Sequence, residues 1–140
     1  MIQDIITFIE AGLHRIGSNP VPATVDPKVT KVTISKQYGG VTSSAVYTLT
    51  ASSAIRYKTK VMWSPKGSLV SLNASEGNLQ AGESVDIVLT VTSPNGIFNN
   101  DVFNYNIGVF ADGYDGEYPI IVFTQVVERT GWVSTINNKQ

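Results

Sequence analysis

Few residues in this chain could perform catalysis. The sequence contains one histidine, His14, and no cysteine, so thiol nucleophiles, thiolate metal ligands and disulfides are excluded together. A Ser-His-Asp triad needs a nucleophile on a rigid turn close to the histidine, and the sequence around His14 indicates none. His14 lies near the end of a predicted helix, where a basic side chain fits the helix dipole. We therefore expect no catalytic residue and no enzymatic activity.

The densest group of acids consists of Asp112, Asp115 and Glu117, which alternate with two glycines. Glycoside hydrolysis needs two carboxyl groups about 5–10 Å apart in a cleft, whereas a turn between two strands is convex and exposed. The same oxygens are hard ligands that suit calcium, but their spacing departs from the EF-hand loop, and Asp-Gly pairs are typical of ordinary turns. An exposed turn is the favoured interpretation. Calcium bound by Asp112, Asp115 and Glu117 is the alternative, and no other cofactor is expected.

A basic stripe, Arg56, Lys58 and Lys60, alternates along one predicted strand. Alternate residues of a strand project from one face about 6–7 Å apart, a spacing that can follow phosphates. Cations on an edge strand equally prevent edge-to-edge aggregation. The isoelectric point of about 5.7 argues against a dedicated nucleic-acid-binding protein, so nucleic acid is not the expected partner.

Aromatic residues at predicted turns are candidates for carbohydrate recognition. Tyr38 precedes a Gly-Gly pair, Phe98 lies in the loop 93–101, and Tyr114 lies within the acidic turn. Aromatic residues within predicted strands are expected to belong to the core instead. These are Tyr47, Tyr57, Trp63, Phe103 and Tyr105.

The first residues predict an amphipathic helix. Six apolar residues recur at spacings of three and four, which places them in one stripe along a helix. They are Ile2, Ile5, Ile6, Ile9, Leu13 and Ile16. Gly17 ends the pattern, and the prolines at 20, 22 and 27 exclude a helix from the segment that follows. Acids interrupt the apolar run and Arg15 follows it, unlike a secretory signal peptide.

The apolar stripe must be buried against another surface. One alternative is its own sandwich, where the apolar stretch 118–127 would receive it; another is a neighbouring subunit, reached through a proline-rich arm. A membrane interface is the weakest alternative, because Arg15 is the single Lys or Arg of the segment and such helices carry a basic polar face. The predicted organisation is a helix over 1–17, an arm over 18–27, a sandwich over 28–129 and a tail over 130–140.

From residue 27 onward the hydrophobic period changes to two, which is typical of antiparallel strands with one buried face. Trp63 is predicted to share the inner face of its strand with Ile55, Tyr57 and Val61. The stretch 118–127 is apolar on both faces and is expected to be covered on both. Turn clusters separate the runs at 39–40, 65–67, 76–78, 81–83, 93–96 and 112–116. We predict an all-β fold, an immunoglobulin-like or jelly-roll antiparallel β-sandwich of about seven strands with an N-terminal amphipathic α-helix.

The segment Trp63-Ser64-Pro65, followed by Leu69 and by Glu76-Gly77-Asn78-Leu79-Gln80-Ala81-Gly82-Glu83-Ser84, resembles a corner of bacterial immunoglobulin-like modules of the BACON and related kinds. The resemblance covers about residues 55–111, and the N-terminal helix departs from it. It implies a sandwich that acts as a spacer or binding domain on secreted proteins, and related folds build virus and phage surfaces. Gly77 and Gly82 are expected to supply positive backbone angles at two turns.

Charge divides along the chain. Residues 27–75 contain seven cations and no acid, whereas residues 76–128 contain eight acids and no base, within a net charge of -1. Charged residues make up 15% of the chain and hydrophobic residues 42%, a balance typical of a folded domain. No apolar run reaches the roughly 18 residues of a membrane-spanning helix. If the division forms two poles, it favours contacts between subunits that salt weakens.

We predict a non-enzymatic structural protein, a self-assembling or scaffold-attached component of a virion, phage particle or surface appendage. Its partner would be another copy of itself or another structural protein, bound through the helix and complementary charged surfaces. The alternative is a carbohydrate- or cell-surface-binding immunoglobulin-like module. Both predictions favour a location on a virion or at the cell surface.

Overall fold

Nine β-strands and no helix form the part of the chain that the computed structural model describes, residues 18–128. The predicted helix over 1–17 and the predicted tail over 130–140 lie outside these residues. The strands are β1 (Ala23–Asp26), β2 (Val29–Ile34), β3 (Thr42–Ala51), β4 (Ile55–Trp63), β5 (Leu69–Leu72), β6 (Glu76–Leu79), β7 (Ser84–Thr92), β8 (Val102–Ala111) and β9 (Ile120–Val127). No helix of the described residues is long and apolar enough to cross a membrane.

The strands form two sheets packed face to face. The four-stranded sheet has the order β1-β3-β7-β5, and the five-stranded sheet has the order β2-β9-β8-β4-β6. Every pairing is antiparallel except that of β2 with β9, which is parallel. The all-β sandwich predicted from the period of two is confirmed.

Two passes of the chain are divided between the sheets. β1 pairs in the four-stranded sheet, and after Pro27 the chain continues as β2 in the five-stranded sheet. Pro27 lacks the N–H that would continue the β1 ladder. In the same way β5 pairs with β7, and three residues later β6 pairs with β4. The nine strands exceed the predicted number of about seven, because β1 lies in the segment predicted as an arm and β6 begins in a segment predicted as a turn.

The core lies between the sheets and follows the predicted alternation. Side chains at every second position of β3, β7 and β8 are buried, because each strand turns one face inward. Those confirmed as core are Tyr47, Leu49, Ala51, Ile87, Leu89, Val91, Tyr105, Ile107 and Val109.

A buried amide lies in this core near one end of the sandwich. Gln125, on β9, is 0% exposed; its Oε1 accepts a hydrogen bond from the Tyr105 hydroxyl at 2.7 Å. Its Nε2 donates to the Val41 carbonyl at 3.0 Å and to Ser43 Oγ at 3.1 Å. Burial raises the pKa of the Tyr105 hydroxyl to about 12. These bonds join both sheets, and a slip of β9 by one residue would break them.

One predicted turn and the predicted arm need correction. The predicted turn at 76–78 is strand β6, and Gly77 does not have a positive φ there. A Cβ at Gly77 would lie 3.0 Å from the Tyr57 ring, so this glycine makes room for a core side chain. Gly82 does have a positive φ, 85°, as expected of a turn. The segment predicted as an arm also contains β1, because its prolines flank residues 23–26 without interrupting them.

The expectation that both faces of the stretch 118–127 are covered is wrong for the described residues. The inward side chains of β9 are buried, including Ile121, Phe123 and Val127 at 0–1% exposure. On the opposite face Ile120 is 44% exposed, and the residues that alternate with the buried ones are partly exposed. One sheet covers one face of β9, and its apolar outer face is left open.

Candidate functional site

A β-bulge in β4 reverses the predicted orientation of Trp63. β4 pairs with β8 through Lys60↔Gly108 and Val61↔Ile107, and then the register shifts so that Trp63 lies opposite Asn106. A bulge adds one residue to one strand and re-aims the side chains that follow it. Trp63 is therefore 60% exposed on the outer face of the five-stranded sheet. Its assignment to the core was wrong, because strict alternation fails at the bulge.

Trp63 belongs to a group of large side chains on this outer face, here called the apolar patch. Met62 and Trp63 come from β4, Phe110 from β8 and Ile120 from the start of β9, and Tyr118 lies just before β9. Met62 is 43% exposed and Ile120 44% exposed. The Phe110 and Tyr118 rings pack with their centroids 4.4 Å apart. The patch thus crosses the three central strands of the sheet.

Gly108 forms the floor of the apolar patch. It pairs with Lys60 on one side and Ile120 on the other. A Cβ at this position would lie 3.0 Å from the Phe110 ring and 3.2 Å from Met62 Cγ. The missing side chain lets these two residues close over the backbone, so the patch has a shallow centre between large side chains.

The basic stripe borders the apolar patch. Arg56, Lys58 and Lys60 are exposed on the outer face of β4, where Lys58 pairs with Phe110. Arg56 Nε lies 3.9 Å from Asp112 Oδ2, with both side chains largely exposed, so this ion pair adds little stability. Aromatic and methionine side chains beside cations are typical of a surface that contacts a macromolecule.

The outer face of the four-stranded sheet is different. Hydroxyl groups on β3 form hydrogen bonds across the strands with three hydroxyl groups and one carboxylate on β7. The pairs are Thr42 with Thr92 at 2.9 Å, Ser44 with Thr90 at 2.9 Å, Thr48 with Asp86 at 3.0 Å and Thr50 with Ser84 at 2.7 Å. Val46, 51% exposed, interrupts this hydroxyl ladder. No Lys or Arg lies in a strand of this sheet among the described residues.

Known structures share the architecture on which these faces lie. A PapD-like domain of human CEP192 has a TM-score of 0.55 at 8% identity, over 79% of this chain and 88% of that one. The N-terminal domain of PorA has a TM-score of 0.54 at 12% identity, over 78% and 99%. A FixG-related protein from Vibrio parahaemolyticus has a TM-score of 0.50 at 7% identity, over 63% and 80%. The chain has an immunoglobulin-like β-sandwich fold.

These likenesses extend to the fold alone. A comparison with models of known protein families finds no match, and a comparison with curated protein sequences finds none either. The predicted fold class was immunoglobulin-like or jelly-roll, and the structural likenesses support the first of these. The BACON type stays a prediction. The arguments about function rest on the surfaces of this chain.

The three aromatic residues predicted to bind carbohydrate do not form one site. Tyr38 is 90% exposed and Phe98 is 63% exposed, and their loops meet where the Gly96 N–H donates to the Tyr38 carbonyl at 2.8 Å. Tyr114 lies in the β8–β9 turn at the opposite end of the sandwich and is partly buried against the core. Two of the three therefore share a surface, and Tyr114 belongs to another.

The predicted calcium ligands have separate partners. Asp112 lies near Arg56, and Asp115 Oδ1 accepts a hydrogen bond from the Asn19 backbone N–H at 3.3 Å. Asn19 Nδ2 donates to the Gly113 carbonyl at 2.8 Å. Within residues 18–128, no group of three His, Cys, Asp or Glu side chains that could hold a metal ion is found, and calcium at Asp112, Asp115 and Glu117 stays a prediction. The acidic turn holds the segment that leads into β1.

Next to the acidic turn lies a wide polar depression of about 610 Å³. Side chains of Arg56, Asn78, Gln80, Asp112 and Tyr114 line it. A second cavity, of about 380 Å³, lies between β1 and the start of β9, beside Tyr118 and Ile120. Sequence patterns gave no sign of either, because both form between segments that are distant in the chain.

Proposed function

We propose that this protein is a non-enzymatic module that works through protein–protein contact, with the apolar patch as its contact surface. The exposed Trp63 carries the proposal. A bulge holds a large aromatic side chain outside the core, next to Met62 and on the same sheet face as the packed Phe110–Tyr118 pair. Tryptophan, tyrosine and methionine are enriched at interfaces, and burial of such side chains supplies most of the energy of association.

The most suitable setting for such a module is an assembly of subunits. The apolar patch spans adjacent strands of a rigid sheet, so it presents a preformed surface. The neighbouring Arg56, Lys58 and Lys60 supply a positive border, and acids of the same chain lie in turns such as 112–117. This arrangement supports self-association as a component of a particle or surface appendage, which remains the proposed role.

The experiment is sedimentation velocity of the full chain across concentrations from 1 to about 100 µM, a range that covers common dissociation constants. We expect association that weakens when the patch residue Ile120 is changed to aspartate. The matched control is Val46→Asp, since Val46 is also mid-sheet and 51% exposed, but on the other face. A chain that stays monomeric throughout, or an equal loss in both variants, would contradict the proposal.

The absence of catalysis is part of the same proposal. The turn acids Asp112 and Asp115 interact with Arg56 and Asn19, and these contacts account for their positions. Hydrolysis of a panel of chromogenic esters, phosphates and glycosides tests this. Turnover that is lost on Asp112→Asn would overturn it.

A second candidate function is carbohydrate binding at the polar depression. The depression places Tyr114 among amide, guanidinium and carboxylate groups, a combination that suits sugar hydroxyls and the apolar face of a sugar ring. Binding on a glycan array that is lost with Tyr114→Ala and Asn78→Ala, but kept with Phe98→Ala at the other end, would support it. An array without binding would exclude it in favour of protein contact.

The BACON type belongs among the proposals as well. Its support is the corner before β7, where Leu79 is 6% exposed and the Gln80 N–H donates to Glu83 Oε1 at 2.7 Å. Gly82 takes the positive φ between them, and its N–H donates to the Ala51 carbonyl at 2.7 Å. The quoted motif thus encodes a tight corner, which is a structural role.

A further inference from the structure

We infer that the apolar patch receives residues 1–17 of a second copy of this chain, so that neighbouring subunits are joined by their N-terminal segments. The inference rests on the proposed function and names the partner at that surface. It combines three observations: the chemistry of the patch, the path of the chain at Asn19, and the pattern of residues 1–17.

The chemistry of the patch suits the predicted helix. Six Ile and Leu residues in a stripe need an apolar receiver. The outer face of the four-stranded sheet carries hydroxyl groups that are hydrogen-bonded to one another. A leucine or isoleucine side chain that packed there could not form hydrogen bonds in their place. On the five-stranded sheet, Met62, Trp63 and Ile120 remain 43–60% exposed around the Gly108 floor. Within residues 18–128 the four-stranded face exposes Val46 and Leu69 at separate positions, whereas the five-stranded face groups its large nonpolar side chains around Gly108.

The length of the sheet suits it too. Seventeen residues of helix extend about 26 Å at about 1.5 Å per residue. The nine-residue strand β4 extends about 30 Å at about 3.3 Å per residue. A helix of the predicted length therefore fits along the central strands.

The path of the chain favours a neighbouring subunit as the source. The Val21 N–H donates to the Glu117 carbonyl at 2.9 Å, and the Asn19 carbonyl accepts from the Gly116 N–H at 3.0 Å. Followed from Val21 back to Asn19, the chain therefore moves from Glu117 toward the tip of the β8–β9 turn, away from Ile120. A Cβ at Gly116 would lie 2.9 Å from the Pro20 nitrogen, so the two segments pack tightly. At Asn19 the chain therefore runs away from its own patch, which favours a patch on a neighbouring subunit as the receiver.

Charge adds to the fit. Glu10 flanks the apolar stripe of the predicted helix, and the patch is bordered by Lys58 and Lys60. Opposite charges at the rim of an interface favour encounter and orientation, and salt screens them.

Variants of the full chain test the inference. We expect Ile9→Asp and Ile120→Asp each to weaken self-association at least about tenfold, and the double variant to lose little more, because the two residues would share one contact. The controls are Val46→Asp on the other sheet face and Thr7→Asp on the opposite side of the predicted helix. Thermal melting by circular dichroism must show that Ile120→Asp and Val46→Asp unfold at similar temperatures.

Isotope-mixed cross-linking identifies the source of the segment. A photoreactive residue at position 9 is introduced into unlabelled chains, which are mixed with ¹⁵N-labelled chains and irradiated. We expect cross-links from unlabelled position 9 to labelled residues 58–63 or 120. Cross-links confined to one chain, or to another surface, would overturn the inference.

The two proposals fail in different ways. If Ile120→Asp abolishes association and Ile9→Asp leaves it unchanged, the patch is still the contact surface but residues 1–17 are not its occupant. If neither variant changes association, both proposals are wrong.

Discussion

The two outer faces of this sandwich arise from the same alternation of residues, yet they have opposite surface chemistry. On the four-stranded sheet, hydroxyl side chains of β3 and β7 pair with one another at 2.7–2.9 Å. On the five-stranded sheet, Trp63, Met62 and Ile120 stand 43–60% exposed around a glycine. On the first face the hydroxyl groups already have hydrogen-bond partners within the sheet. The second face exposes nonpolar surface that association would bury.

The difference shows that an outward position does not by itself make a residue polar. Paired hydroxyl groups contribute about 0.2–1 kcal/mol per cross-strand pair and remain accessible to water. Exposed apolar surface instead forgoes about 25 cal/mol for every Å² left in water. The hydroxyl ladder therefore suits a solvent-facing surface, and the apolar patch suits a contact surface. The following predictions test that contrast, beginning with the interior that both faces share.

Alkaline pH is expected to destabilise that interior most. Burial raises the pKa of Tyr105 to about 12, above the value of about 10 for an unfolded chain. The unfolded state therefore loses this proton first, so stability is full below pH 10 and falls by about 1.4 kcal/mol per pH unit between about 10 and 12. Burial also raises the pKa of the Tyr47 and Tyr57 hydroxyl groups.

Urea unfolding followed by circular dichroism at several pH values measures this effect. Tyr105→Phe should reduce the slope above pH 10, although it also leaves Gln125 Oε1 without its donor. A stability that does not change between pH 10 and 11 would contradict the burial of these hydroxyls.

A side chain at the floor of the apolar patch should have the next largest effect. Gly108→Val would place atoms within about 3 Å of the Phe110 ring and Met62, and overpacking of this kind costs about 1–3 kcal/mol. Val88→Ile, outward on β7, adds a methylene to the other face and should stay within about 0.5 kcal/mol. Urea unfolding compares the two. If both variants lose the same small amount of stability, the Phe110 and Met62 side chains do not pack closely over Gly108.

The hydroxyl ladder should show coupling between its partners. Ser44→Ala and Thr90→Ala are each expected to cost about 0.2–1 kcal/mol, and the double variant should cost little more than either, because both remove one hydrogen bond of 2.9 Å. A double-mutant cycle measures the coupling. If the losses of unfolding free energy add up, the two hydroxyl groups act independently. The hydroxyl groups of this face would then not stabilise one another.

Salt is expected to have the smallest effect, and only on the patch side. Lys58→Gln with Lys60→Gln should weaken association about two- to fivefold at low salt, the range of exposed charge pairs, and should flatten its dependence on sodium chloride. Lys36→Gln, in the β2–β3 loop, is the control. Sedimentation at about 0.05 and 0.5 M salt, where screening differs strongly, measures both. An unchanged salt dependence in the double variant would remove the basic stripe from the contact.

Much of the fold could be predicted, but less of the candidate site. The inner faces of β3, β7 and β8 follow from alternation, which each strand displays within its own residues. The polar depression beside Tyr114 and the apolar patch could not be predicted, because each joins segments far apart in the chain. Trp63 shows most clearly where prediction from the sequence stops. Its strand was predicted, but the outward orientation of its side chain was not.

By itself, the sequence determined an all-β sandwich with a core of alternating side chains and turns at Gly-, Pro- and Asp-rich segments, since period and turn chemistry are local properties. Tertiary structure alone decided which face Trp63 occupies, because the bulge depends on pairing with Asn106. It also decided how β1–β2 and β5–β6 divide between the sheets. The physical reason is that register and sheet membership are set by contacts between distant residues, which no local pattern contains.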